Sequence, residues 1–290
     1  MRVHQRVLAV LVLAGLAAAF GLAFLKQAPN RLVSGTGIGL AELLAGARIA
    51  VLGPVAVLAA AVFMRPARRV HGWVAAAAVL LLIGWVAIAG QAAAQIAASA
   101  TPLARTSLGG GFWVLCLLTA LAAADAVQRL QWPPAARGAV VAAALLPIGA
   151  LLGSGALDAL SLLKEYANRQ DVFDAALWRH LQIVAFTLLP TVLIGVPLGL
   201  LAFRRRGIAN GLFGVLGVIQ TVPSIALFAL LIGPLALLGA ALPGLAISGI
   251  GIVPAVLALT LYALLPVVRS TVAGLGQVPA TVLRTTGSRA

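Results

Sequence analysis

The residues best suited to do chemistry sit inside an apolar stretch, at Gln220-Thr221-Val222-Pro223-Ser224. An amide, two hydroxyls and a helix break fall together there. Proline supplies no backbone donor and leaves a carbonyl free. In a membrane such a carbonyl must be buried in protein or line a wet cavity. The segment reads either as a structural kink held by a helix–helix hydrogen bond or as the lining of a translocation pathway. Asp125, four residues before Arg129, reads as an interfacial ion pair, with a proton relay as the rival reading. Glu42 reads as interfacial. His4, His71 and His180 are far apart and Cys116 is the lone cysteine, so neither metal-ligand spacing nor an internal disulfide is available. The sequence contains no Gly-x-Ser-x-Gly and no His-Glu-x-x-His. Gly109-Gly110-Gly111 lacks the Lys-Ser/Thr of a phosphate loop, so it reads as a turn at a helix start. No catalytic residue, metal or cofactor is expected.

The elements that must position these residues are membrane spans. Of 290 residues, 62% are hydrophobic and 9% charged, with a mean hydropathy of +1.12. Soluble domains carry about 25% charged residues, which argues strongly against a soluble enzyme. The net charge of +14 does not indicate nucleic acid, because the bases stand singly or in threes between apolar runs rather than in one patch.

The spacing predicts an all-α, polytopic membrane protein with about eight transmembrane helices. The apolar runs are 7–25, 49–64, 73–96, 110–127, 138–157, 181–203, 208–238 and 252–268. The first run has the rival reading of a signal peptide, but it exceeds a signal's usual apolar length and further spans follow. The second could reach back to Leu40, with Glu42 and Arg48 near the interface. The seventh is too long for one straight helix. Between the fifth and sixth, Asp158 to His180 is rich in charge and reads as a water-exposed segment. The resulting division is 1–157 (about five spans), an exposed amphipathic connector at 158–180, and 181–290.

Charge sets the expected orientation. With both termini cytoplasmic, 13 of the 20 bases fall inside and seven outside, as the positive-inside rule requires.

From about Leu177 to Gly276 the sequence resembles the permease subunit of an ABC importer of the osmoprotectant (glycine betaine/choline/carnitine) type. The segments that carry the resemblance are Leu177 to Leu181, Ile194 to Leu200, Ile219 to Leu227 and Gly249 to Arg269. Residues 1–160 resemble, more weakly, the hydrophobic extension of one branch of these permeases, through Ala104 to Trp113. The resemblance implies a non-catalytic component of the bacterial cytoplasmic membrane. It also implies a cytoplasmic ATP-binding subunit, a periplasmic or lipid-anchored solute-binding protein and a second permease copy, with membrane lipid around them and no nucleic acid. It makes Gln220, Thr221, Pro223 and Ser224 the expected pathway residues.

In the family a cytoplasmic coupling loop with a Glu-Ala-Ala…Gly pattern follows the eighth span. Here Val278-Pro279 matches the approach to that loop, and Arg284-Thr285-Thr286-Gly287 stands where the pattern is expected. The coupling site therefore reads as degenerate and the permease core as truncated at the loop, with no transport expected from this chain alone. Two other function classes are weighed beside this one. A secondary transporter would need ionisable groups near the midplane, and a lipid-modifying membrane enzyme would need them clustered at one depth. The sequence shows neither.

Overall fold

The computed structural model describes residues 3–245 and 248–277. These divide into two compact units, with the boundary after Gln170.

The first unit opens with helix α1 (Arg6–Gly21), which leads into strand β1 (Ala23–Ala28) and strand β2 (Thr36–Gly39). A single helical turn, α2 (Leu40–Leu43), and a 3-10 turn (Gly46–Val51) lead to α3 (Leu52–Phe63). Then come α4 (Arg68–Ser99), β3 (Arg105–Leu108), α5 (Gly110–Leu130), α6 (Pro134–Gly153) and α7 (Ser161–Asn168). Helices α4 and α5 form the centre, with α1, α3 and α6 packed on them. Leu8 of α1 is 2% exposed and joins the same apolar cluster as Leu81, Trp85 and Leu115. The helix read with a signal peptide as its rival is thus an integral part of this core.

The expectation of a predominantly helical membrane protein holds, and three short strands are added to it. They form an antiparallel sheet of order β2-β1-β3. The apolar run expected to stay helical to Leu25 ends its helix at Gly21. Phe24 and Leu25, both 0% exposed, bury themselves as strand residues instead. Phe24 stacks edge-on against Phe112 and Trp85, with ring centroids 5.5 and 6.2 Å apart. Backbone pairing with β2 and with the distant β3 satisfies β1, so local apolarity could not reveal it.

Six described helices are long and apolar enough to cross a membrane: α4, α5, α6 and three in the second unit. The expectation of about eight met two shorter helices. Helix α1 has 16 residues and α3 has 12, about 24 and 18 Å at the helical rise, against a hydrocarbon core of about 30 Å. The backward extension of the second run is also corrected. Glu42 caps α2 by accepting from the Gly39 amide at 2.7 Å. Arg48 lies in the 3-10 turn and donates to the Gln95 side chain. Asp125 and Arg129 form the expected i,i+4 pair, 2.8 Å apart.

The second unit contains α8 (Gln170–Arg204, which starts at the boundary), α9 (Arg206–Thr221), α10 (Ser224–Ala241) and α11 (Ile252–Gly276). The charged residues after 170 do not form a separate helix, because α8 runs from them without interruption into the sixth apolar run. Helices α9 and α11 bury Leu216, Leu264, Leu265 and Val268 between them.

Candidate functional site

The seventh apolar run divides where its proline predicts. Helix α9 ends at Thr221 and α10 starts at Ser224. Between them, Val222 and Pro223 are extended, with ψ of 126° and 139°. Proline disfavours helical geometry in the residue before it, so Val222 leaves the helix.

The broken turn leaves carbonyls without their helical donors, and each of three finds a substitute. The Thr221 hydroxyl donates to Val218 O at 2.7 Å. The Val222 amide donates to Ile219 O at 3.3 Å. The Tyr262 hydroxyl, from α11, donates to Val222 O. Helix α10 then begins with the Leu227 amide donating to Pro223 O at 3.0 Å.

A second defect faces this one. Pro266 lies inside α11, so the carbonyl four residues earlier, that of Tyr262, has no helical donor. The Gln220 amide fills the role, with Nε2 donating to Tyr262 O at 2.8 Å. Pro266 thus leaves the Tyr262 carbonyl to the Gln220 amide, and the Val222 carbonyl, outside both helices at the break, is satisfied by the Tyr262 hydroxyl. In an apolar medium an unsatisfied carbonyl costs several kcal/mol, which is the physical reason this pairing fixes α11 against the α9–α10 break.

Of the expected pathway residues, the structure brings Gln220 and Thr221 into this arrangement and makes Pro223 the N-cap of α10. Ser224 opens α10 as an exposed residue, and its hydroxyl has no hydrogen bond among the described residues. Tyr262 was missed by sequence reasoning. Its signal was present all the same, as a residue four positions before an in-helix proline. Val278, Pro279, Arg284, Thr285, Thr286 and Gly287, expected at the coupling loop, lie outside the described residues.

Small residues bring α8 onto α11. A Cβ at Gly195 would lie 2.8 Å from Val267 Cγ1, and one at Gly199 would lie 2.6 Å from Thr271 Cβ. Glycines four apart are the usual device for close helix packing in membranes. Arg269 of α11 lies over the Phe213 ring, 5.9 Å from its centroid. No cluster of three or more metal-ligating side chains occurs among the described residues.

Comparison with known proteins adds family information. Residues 4–163 match the family described as ABC transporter permease YehY, N-terminal domain. The chain is 41% identical over 102 residues to the osmoprotectant import permease protein OsmW of Salmonella typhimurium, covering 35% of this chain and 44% of that protein. It is 38% identical over 97 residues to the carnitine transport permease protein OpuCB of Listeria monocytogenes, covering 33% and 38%. With the choline transport system permease protein OpuBB of Bacillus subtilis it shares 34% identity over 98 residues, covering 34% and 39%. The chain spans less than half the length of these relatives. No solved structure matches it.

Proposed function

The chain belongs to the ABC transporter permease family that carries the YehY-type N-terminal domain, and on that premise we propose that it is the membrane permease component of an ATP-driven importer of osmoprotectants. The observation that carries the reading is the similarity of about 100 residues to permeases named for osmoprotectant, carnitine and choline transport. The proposed solutes are glycine betaine, choline, carnitine or a related quaternary ammonium compound.

The break at Thr221–Ser224 supplies a mechanism for such a component. Polar groups and irregular backbone within an apolar bundle are tolerated where they line a cavity. Gln220, Thr221, Pro223 and Ser224 are the proposed pathway or gate residues, and Tyr262 holds the break in register with α11. A gate needs two discrete arrangements. The Gln220–Tyr262 and Tyr262–Val222 hydrogen bonds define one, and their release would define the other.

The energy would come from a separate cytoplasmic ATP-binding subunit, and a solute-binding protein outside would deliver the solute to a pair of permease chains. The proposed setting is the bacterial inner membrane with both termini cytoplasmic. Residues 1–157 would form the extension, 158–180 the connector and 181–290 the permease core.

The test is uptake of labelled glycine betaine, choline and carnitine by cells that lack other betaine uptake and express this chain with its ATP-binding and solute-binding partners. The reading predicts osmotically stimulated uptake that disappears when the ATP-binding subunit is inactivated. Uptake that persists without that subunit would indicate a secondary transporter. A changed lipid profile without uptake would indicate a lipid-modifying enzyme.

A further inference from the structure

At the end of the first unit where the sheet lies, a polar pocket of about 310 Å³ opens to the outside. This is far more than the roughly 10–15 Å³ one water needs on the same measure. Its walls follow from strand and helix periodicity. Lys26 pairs with Ser107 and Ala28 with Arg105 across the β1–β3 ladder, so all four line the pocket from one sheet face. Ser161 and Glu165, four apart on α7, supply a helix face. Asn30 and Arg31, from the turn after β1, complete the rim.

The charge balance favours an anion. Three bases, Lys26, Arg31 and Arg105, meet one acid, Glu165. Arg105 Nε lies 3.6 Å from Glu165 Oε1, an ion pair too long for a hydrogen bond. The Arg105 fork is held in place by Nη1 donating to the carbonyls of Pro102, Leu103 and Ala104 at 3.2 to 3.3 Å. Lys26 and Arg31 form no ion pair among the described residues, which leaves their charges uncompensated.

A second observation concerns hydrogen bonding. Arg105 Nε, Ser161 Oγ and Glu165 Oε1 are buried atoms without hydrogen-bond partners among the described residues. Buried polar atoms are almost always satisfied by protein, water or ligand. Arg105 Nε and Glu165 Oε1 face each other as the ion pair, which leaves Ser161 Oγ as the buried pocket-lining donor with no partner among the described residues. The acceptor, Glu165, selects against a bare anion and suits one that carries or adjoins an O–H.

We infer that this pocket is a binding site for a phosphate group bearing or adjoining a hydroxyl, with Arg105, Ser161, Lys26 and Arg31 facing the phosphoryl oxygens and Glu165 accepting from the hydroxyl. Inorganic phosphate at neutral pH has this chemistry, and so does the headgroup of phosphatidylglycerol. The site is independent of the transport reading, because none of its residues belongs to the α9–α11 arrangement.

The experiment uses the full chain in nanodiscs. In phosphatidylcholine discs, inorganic phosphate is titrated by calorimetry. In discs containing phosphatidylglycerol, retained lipid is counted by native mass spectrometry. Both are repeated with Lys26→Gln/Arg31→Gln, with Ser161→Ala, and with Arg65→Gln/Arg68→Gln as a charge-matched control away from the pocket. Helix content and the ligand-free melting point confirm folding. Phosphate binding that weakens at least tenfold in Lys26→Gln/Arg31→Gln, and several-fold in Ser161→Ala, supports a free phosphate ligand. Phosphatidylglycerol retention lost in the same variants supports a lipid headgroup. Absence of binding in both arms overturns the inference, as does equal weakening by Arg65→Gln/Arg68→Gln.

Discussion

The side-chain amide of Gln220 donates to the backbone carbonyl of Tyr262 at 2.8 Å, and the Tyr262 hydroxyl donates back across the break to Val222 O. The first bond repairs a carbonyl that Pro266 has deprived of its helical donor, and the second satisfies a carbonyl left outside both helices at the break. Each of these two carbonyls is satisfied from the other segment, so the bonds tie α11 to the α9–α10 break. This tie is what would let a change at the break be felt on α11.

Tyr262→Phe removes one bond and keeps the ring. It should destabilise the folded chain by about 1 kcal/mol, as should Gln220→Leu. The double variant should lose less than the sum, with a coupling of roughly 0.6 kcal/mol and at most about 1.7 kcal/mol, as for hydrogen bonds between membrane helices. Unfolding of all four proteins in detergent measures it. Strict additivity would show that the two bonds do not act as a unit.

Gly199→Leu should be severe, because its Cβ would already fall 2.6 Å from Thr271 Cβ. Overpacking of this kind costs about 1–3 kcal/mol. Adding Thr271→Gly should recover much of the loss. Detergent stability of the single and double variants tests it, and no recovery would place the fault elsewhere than at this contact.

Gly109→Val should break the join between sheet and helix in the first unit. A Cβ at Gly109 would lie 2.2 Å from Ala23 O, and the Gly109 amide itself donates to Phe24 O at 2.8 Å. Backbone cannot yield as a side-chain tip can, so the loss should exceed about 2 kcal/mol. Near-UV dichroism, which senses Phe24, Trp85 and Phe112, should weaken. An unaltered spectrum and melting point would contradict this close approach.

Asp125→Asn should do little. The Asp125–Arg129 pair is partly exposed on both sides, at 28% and 44%, and such pairs contribute about 0.3–0.5 kcal/mol. The loss should shrink further in high salt. A collapse of transport with intact folding would instead favour the proton-relay role.

Patterns carried within one segment were legible in the sequence. Pro223 marked the break, Asp125 and Arg129 marked their own pair by spacing, and Gly109-Gly110-Gly111 marked a helix start. Relations across distance were hidden. Strands β2 and β3 have four residues each, too few for an alternating pattern to show, and β3 finds β1 from far along the chain. Their pairing is also why Gly109 must be glycine, a reason no local reading could supply. At the candidate site, the polar residues of the break were visible, but their partner was not. Tyr262 acts through both its hydroxyl and its carbonyl, and only the packing of α11 on α9 brings it there.

The central claim is that the break between α9 and α10 lines a solute pathway driven by ATP. The most direct test places a cysteine there, as Ser224→Cys, with Cys116→Ser removing the native thiol. Labelling by a membrane-impermeant methanethiosulfonate is then followed in the assembled transporter, with and without ATP and glycine betaine. The account predicts reaction from the aqueous side at a rate that changes severalfold with ATP and falls when glycine betaine is present. A thiol that never reacts, or reacts at one rate under every condition, would contradict it.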